Sequence, residues 1–246
     1  MIKDLGHHFK IIDNKMILQF DNEVFRKYYK VIDFESFELL QSNDSTHHYF
    51  KDKTNVYISS YMCGFAVLEN ADPASFRILD FEKGFTADDS NYFYFDERLP
   101  YDFSKAVILN NHYIKANQKI YSGYTNEIIG VDIESFGIPH PDLIENISKD
   151  KNHVYFRNKI IEDADPSSFH FLENCVNNQE YYQECDNAFY AVDANFAWFI
   201  RTIAKEVKKI KSKSLSSFHF KVIDEQGYAF DNEYQYYFGK KTKRSS

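Results

Sequence analysis

The side chains that could do chemistry in this 246-residue chain are nine histidines, three cysteines and an excess of carboxylates. His7, His8, His47, His48, His112, His140, His153, His170 and His219 form no His-x-x-x-His or His-Glu-x-x-His pattern. Cys63, Cys175 and Cys185 are too widely spaced for a zinc-binding pair or a disulfide framework, so no metal or other cofactor is expected. A thiol nucleophile needs a neighbour that stabilises its thiolate, and the sequence around Cys63 and Cys175 supplies none. There is no Gly-x-Ser-x-Gly, and the 8 glycines build no phosphate-cradling loop. The remaining enzyme candidates are the adjacent acids Asp88-Asp89, Asp96-Glu97 and Glu162-Asp163, with Glu82 nearby. Glycoside cleavage needs two carboxyl groups about 5–10 Å apart across the scissile bond. Adjacent strand residues point to opposite faces, so spacing alone places no such pair. The expectation is a protein that is not an enzyme.

The elements that carry these residues are written in a repeat. Ala-Asp-Pro-Ala-Ser-Phe-Arg-Ile-Leu at 71–79 and Ala-Asp-Pro-Ser-Ser-Phe-His-Phe-Leu at 164–172 agree at six of nine positions. The frame Asp-x-x-Ser-Phe-x-x-Leu also reads at 33–40. Decayed copies begin at 102, 132 and 214, so frames start near 33, 72, 102, 132, 165 and 214. The frame aspartate is suited to a turn, where its carboxylate accepts backbone N–H bonds. His170 and His219 share one slot, just after the frame phenylalanine, and read as a surface column. A second block, Asp-Lys-Thr-Asn-Val-Tyr-Ile-Ser at 52–59, recurs at 88–95 and 150–157, with further copies at 110–120 and 185–192. Its apolar and polar residues alternate, which predicts short half-buried strands. The predicted unit is a small hairpin joined to a tight aspartate-initiated turn. Stacking such units should bury Phe37, Phe76, Phe136, Phe169 and Phe218, with Leu40, Leu79 and Leu172.

Asp150-Lys151-Asn152-His153-Val154-Tyr155, followed by Ile160-Ile161 and Ala164-Asp165-Pro166-Ser167-Ser168-Phe169, resembles the bacterial DKNYY repeat family. The likeness is good at 150–172 and fair at 52–79. His153 departs from it, standing in a slot that is usually aromatic. The resemblance implies an immunity role, because some members look like immunity proteins encoded beside polymorphic toxins, including effectors of contact-dependent and type VI secretion.

Aromatic residues make up 18% of the chain, which excludes disorder, and no window approaches the length of a membrane helix. No apolar stretch follows Lys3, so no leader is expected and a cytoplasmic location is. The formal charge of −8 is uneven: −14 over residues 1–200 and +6 over 201–246. An acidic body disfavours nucleic acid and favours a partner with a basic face. From Asp193 onward, apolar residues at 196, 199, 200, 203, 207 and 210 follow helical spacing, which predicts an amphipathic helix over 193–211 with Asp193 as its N-cap. Residues 240–246 read as a frayed basic tail. The expected architecture is mainly β (a β-rich α+β protein): one repeat-built domain over 1–246, made of irregular stacked hairpins, short helical turns and that helix. The expected function is a toxin inhibitor that occludes its partner's active region. Asp88, Asp89, Asp96, Glu97, Glu162 and Asp163 are the steering groups, and aromatic residues are the anchors. A non-catalytic surface or scaffold protein is the alternative, and a carboxylate-dependent hydrolase the lesser one.

Overall fold

The computed structural model describes residues 2–17, 23–43, 47–61, 63–140, 143–176, 188–224 and 226–242, and these are mainly strand. Among them, seven antiparallel sheets follow one another along the chain. Each is a meander whose strands lie side by side in sequence order. The chain divides into two compact units, Met1–Ala106 and Val107–Ser246. The first holds the sheets over residues 2–17, 38–67 and 77–98; the second holds those over 107–127, 147–160, 170–210 and 219–242. No helix among the described residues is long and apolar enough to cross a membrane.

The repeat frame explains where each sheet begins. Asp33 Oδ1 accepts the Ser36 N–H at 3.1 Å, which curls the chain into a turn and aims Phe37 inward. Phe37 is fully buried between Phe50 and Tyr57, with ring centroids 5.3 and 5.5 Å away. Strand Glu38–Ser42 then starts at the next residue. The same turn recurs at Asp72, Asp132 and Asp165, whose carboxylates accept the N–H of Ala74, Ser135 and Ser167. Asp102 accepts the Ser104 N–H and caps a single 3-10 turn. Phe169 and Phe218 are buried as expected, whereas Phe76, Phe136, Leu40 and Leu172 are only half-buried. Leu79 is 42% exposed: pairing slips between Ile78 and Asp80, which turns Leu79 outward while Ile78 packs inside.

Three expectations need correction. No helix spans 193–211; strands Ala197–Arg201 and Glu206–Ile210 occupy it, joined by a turn in which Lys205 has φ 55°. Ala197, Trp198, Phe199 and Ile200 are all buried, because the strand is central in its sheet and covered on both faces. A strand apolar on both faces imitates helical spacing when polar residues punctuate its neighbour. Asp193 does accept two N–H groups, those of Asn195 and Phe196 at 2.7 Å, as a helix cap would, but they form a turn between strands. The repeat copy in this region accordingly starts at 193: residues 185–187 lie outside the described residues, and Ala188–Val192 is the strand before the turn. At the C-terminus, Lys240–Thr242 pairs with Gln235–Tyr237 as a strand, and residues 243–246 lie outside the described residues.

Candidate functional site

The carboxylates fall into two groups, and the larger group is structural. Asp150 is 3% exposed, and its oxygens accept four hydrogen bonds. Oδ1 takes the Asn152 and His153 N–H groups at 2.7 Å; Oδ2 takes the Asp132 N–H at 2.7 Å and the Tyr155 hydroxyl at 2.8 Å. Asp52 repeats the pattern with Thr54, Asn55, Asp33 and Tyr57. Asp193 repeats it with Asn195, Phe196, Asp165 and the Trp198 indole. Asp231 holds Glu233, Tyr234 and Tyr236, and the Ser212 hydroxyl replaces the frame N–H. Each of these keystones locks the turn between two strands onto the frame turn that opens its module. A return contact completes the lock: the Ser36, Ser135 and Ser168 hydroxyls accept the N–H of Lys53, Lys151 and Ala194, at 3.0, 3.0 and 2.8 Å. Lys53 and Lys151 also pair with Asp33 and Asp132 at 2.6 and 2.7 Å.

Burial alone would push the Asp52, Asp88, Asp150 and Asp231 carboxyls up, but these hydrogen bonds outweigh it and hold all four below the usual carboxylate range. The bond from Lys53 lowers Asp33 to about 2, and that from Lys151 lowers Asp132 to about 2.

This arrangement decides the fate of the candidate steering groups. Asp88 is 2% exposed and accepts the Asp72, Ser90 and Asn91 N–H groups, so it is a keystone and not a surface residue. Asp89 is exposed and pairs with Arg77 at 3.3 Å. Asp96 and Glu97 are exposed at the hairpin tip beyond strand Tyr92–Tyr94. The meander puts them, with Glu82, at the opposite end of their sheet from Asp89. These acids therefore form no single patch. His170 and His219 do share an environment, each ring Nδ1 lying against the carbonyl two residues before it, Ser168 at 2.8 Å and Ser217 at 2.7 Å.

Glu162 and Asp163 stand at a different kind of place. In the second unit they rim a groove of about 370 Å³ between hairpin 154–160 and the sheet over 170–210. Its floor is apolar: Phe156, Ile161, Trp198 and Val207, with Ile160 at the lip, 40% exposed. Lys159, Lys205 and Lys209 complete the rim. Lys209 bonds to Asp163 and lies 4.8 Å from the Phe196 ring centroid; Trp198 is fixed from below by its 2.7 Å bond to Asp193. Sequence reasoning missed this groove because Trp198, Lys205 and Lys209 were assigned to a helix. Its signal was an aromatic donor five residues after an aspartate, present at Tyr57, Tyr155, Trp198 and Tyr236. A second recess, about 640 Å³ and mostly polar, lies in the first unit and includes Asp89, Arg98, Tyr101 and Asp102.

Among the described residues no cysteine offers an activated thiol. Cys63 is half-buried and burial raises its thiol; Cys175 is buried, its sulfur accepting the Tyr190 N–H; Cys185 lies outside the described residues. Among the described residues, no group of three or more His, Cys, Asp or Glu could hold a metal ion.

Comparison with curated proteins and with solved structures found no match. The model of the DKNYY family matches residues 2–98 and 113–245, nearly the whole chain. This chain is a member of the DKNYY family.

Proposed function

We propose that this protein is a non-catalytic binding module that acts in the cytoplasm as an immunity protein, neutralising a cognate bacterial toxin by covering its active region. The observation that supports a binding role best is the groove around Trp198: an apolar floor with a charged rim, the composition of a protein-binding surface. The chemistry of the buried carboxylates supports the non-catalytic part. A general acid needs a carboxyl group raised toward neutrality, and Asp52, Asp88, Asp150 and Asp231 are shifted the other way by hydrogen bonds that also fix their geometry. Charge supports a partner with a basic face, because residues 1–106 carry 12 Lys+Arg against 18 Asp+Glu. Asp89, Asp96, Glu97 and Glu82 then act as exposed steering groups, and Asp88 is withdrawn from that role. The toxin assignment rests on the resemblance of some family members to immunity proteins.

The test is co-expression with the toxic product of the adjacent gene. Cells should survive, and a complex should form whose association slows as salt rises. Death at an unchanged rate, with no complex at low salt, would refute the immunity reading.

A further inference from the structure

We propose that the groove around Trp198 docks an acidic peptide segment that presents one large apolar side chain. This rests on the binding reading above and gives it a second contact: the acidic first unit attracts a basic surface, and the groove in the second unit takes an acidic, apolar-anchored strip.

The charge balance of the rim carries the choice of occupant. Asp163 is already neutralised by Lys209. Lys159 and Lys205 make no ion pair among the described residues, and both are exposed. On the same rim Glu162 is the carboxylate with no ion pair among the described residues. A segment entering the groove therefore meets two uncommitted ammonium groups and one carboxylate, within a chain that is acidic in total. The floor sets the second requirement. About 370 Å³ accepts a single aromatic or long aliphatic side chain between Ile160 and Val207, over a floor in which Phe156, Ile161 and Trp198 are already packed and 9%, 5% and 2% exposed. The Trp198 ring cannot turn away to close the space, since its nitrogen is bonded to Asp193 and its edge packs on Phe196, ring centroids 5.9 Å apart. A preformed floor needs little rearrangement when a ligand enters, which favours binding.

Trp198 is the single tryptophan of the chain, so its emission reports directly on the groove. The experiment titrates the full-length protein with three pentapeptides: phenylalanine flanked by two glutamates on each side, alanine in the same acidic frame, and phenylalanine flanked by two lysines on each side. The acidic phenylalanine peptide should shift Trp198 emission and saturate, weakening as salt rises. Either change of peptide should weaken binding about tenfold, since a lost apolar anchor or a reversed charge pattern is worth about one factor of ten. Lys159→Glu combined with Lys205→Glu alters only exposed side chains. It should weaken the acidic peptide about fivefold or more and favour the basic one, with an unchanged circular dichroism spectrum. The proposal is overturned if Trp198 does not respond to millimolar acidic peptide, if the basic peptide binds as well, or if the double charge reversal changes nothing. Neutralisation of the toxin by the double variant as well as by the parent would leave the immunity reading standing and exclude the groove from it. Peptide binding without any toxin neutralisation would do the reverse.

Discussion

Replacing Asp150 by asparagine tests the keystone reading directly, because the two side chains have nearly the same shape and differ in what they can accept. In the native turn four donors converge on the carboxylate: the N–H groups of Asp132, Asn152 and His153, and the Tyr155 hydroxyl. The asparagine carbonyl can still accept from Asn152 and His153, though without charge assistance. Its amide nitrogen, however, faces the Asp132 N–H, which is left without an acceptor; the Tyr155 hydroxyl can turn and accept instead. One orphaned buried donor costs about 1–3 kcal/mol, and the loss of charge on two further bonds adds about 1 kcal/mol, so Asp150→Asn should destabilise the second unit by about 2–4 kcal/mol. For a unit of this size the thermal midpoint should fall by about 6–12 °C. Urea unfolding followed by Trp198 emission measures it, since that tryptophan lies in the neighbouring sheet of the same unit. Lys159→Ala is the control: that side chain is exposed and makes no ion pair among the described residues, so the midpoint should barely move. A shift for Asp150→Asn no larger than that of the control would refute the keystone argument.

Stability should also fall in two stages on acidification. Burial first, and then repulsion from Arg157, lowers His112 to about 4; the unfolded chain therefore binds more protons between the usual histidine range and pH 4, and stability drops as pH falls through that window. His112→Gln should flatten this stage in a urea midpoint against pH series. Asp33 and Asp132, lowered to about 2, contribute stability above the usual aspartate range that is lost between roughly pH 4 and 2; Lys53→Ala with Lys151→Ala should move that second stage upward in pH. Gly239 has φ 69° and an added Cβ would lie 2.8 Å from Phe199 Cβ, so Gly239→Ala should cost about 2–3 kcal/mol in urea melts, against about 1 kcal/mol for Gly130→Ala, where the space is open. Phe169→Ala should cost about 3–5 kcal/mol and the half-buried Phe76→Ala less, measured by circular dichroism melts.

The frame was legible in the sequence because its chemistry is local. An aspartate that caps a turn three residues long, with a phenylalanine one step further, is written in contiguous residues. The keystones were half legible. Asp52, Asp88 and Asp150 stand in recognisable copies, yet their principal partners lie 16–19 residues upstream, beyond any local pattern. Asp193 was misread because the first N–H bonds of a helix cap and of this strand-to-strand turn have the same sequence requirement; only the burial of Ala197 through Ile200 on both faces separates them. The same confusion hid the groove. Trp198, Lys205 and Lys209 reach Glu162 and Asp163 by strand pairing and sheet packing, whereas period-3.6 counting sets the three on one face of a helix and gives no sign of the two acids earlier in the chain. The separation of Asp89 from Asp96 and Glu97 was equally invisible, since it depends on the direction of each strand in the meander.

Among the described residues every sheet pairs only consecutive strands, and Asp52, Asp88, Asp150 and Asp193 each close onto a frame between 16 and 28 residues earlier. For a β protein this gives an unusually low contact order, and the loop-closure entropy opposing each sheet is small. Folding should therefore proceed in the order of synthesis. Once the ribosome releases one frame and its keystone, that sheet can form and bury its phenylalanine before the next frame emerges. An aromatic-rich nascent chain is thus kept from exposing several sticky segments at once, which is when β-rich chains aggregate.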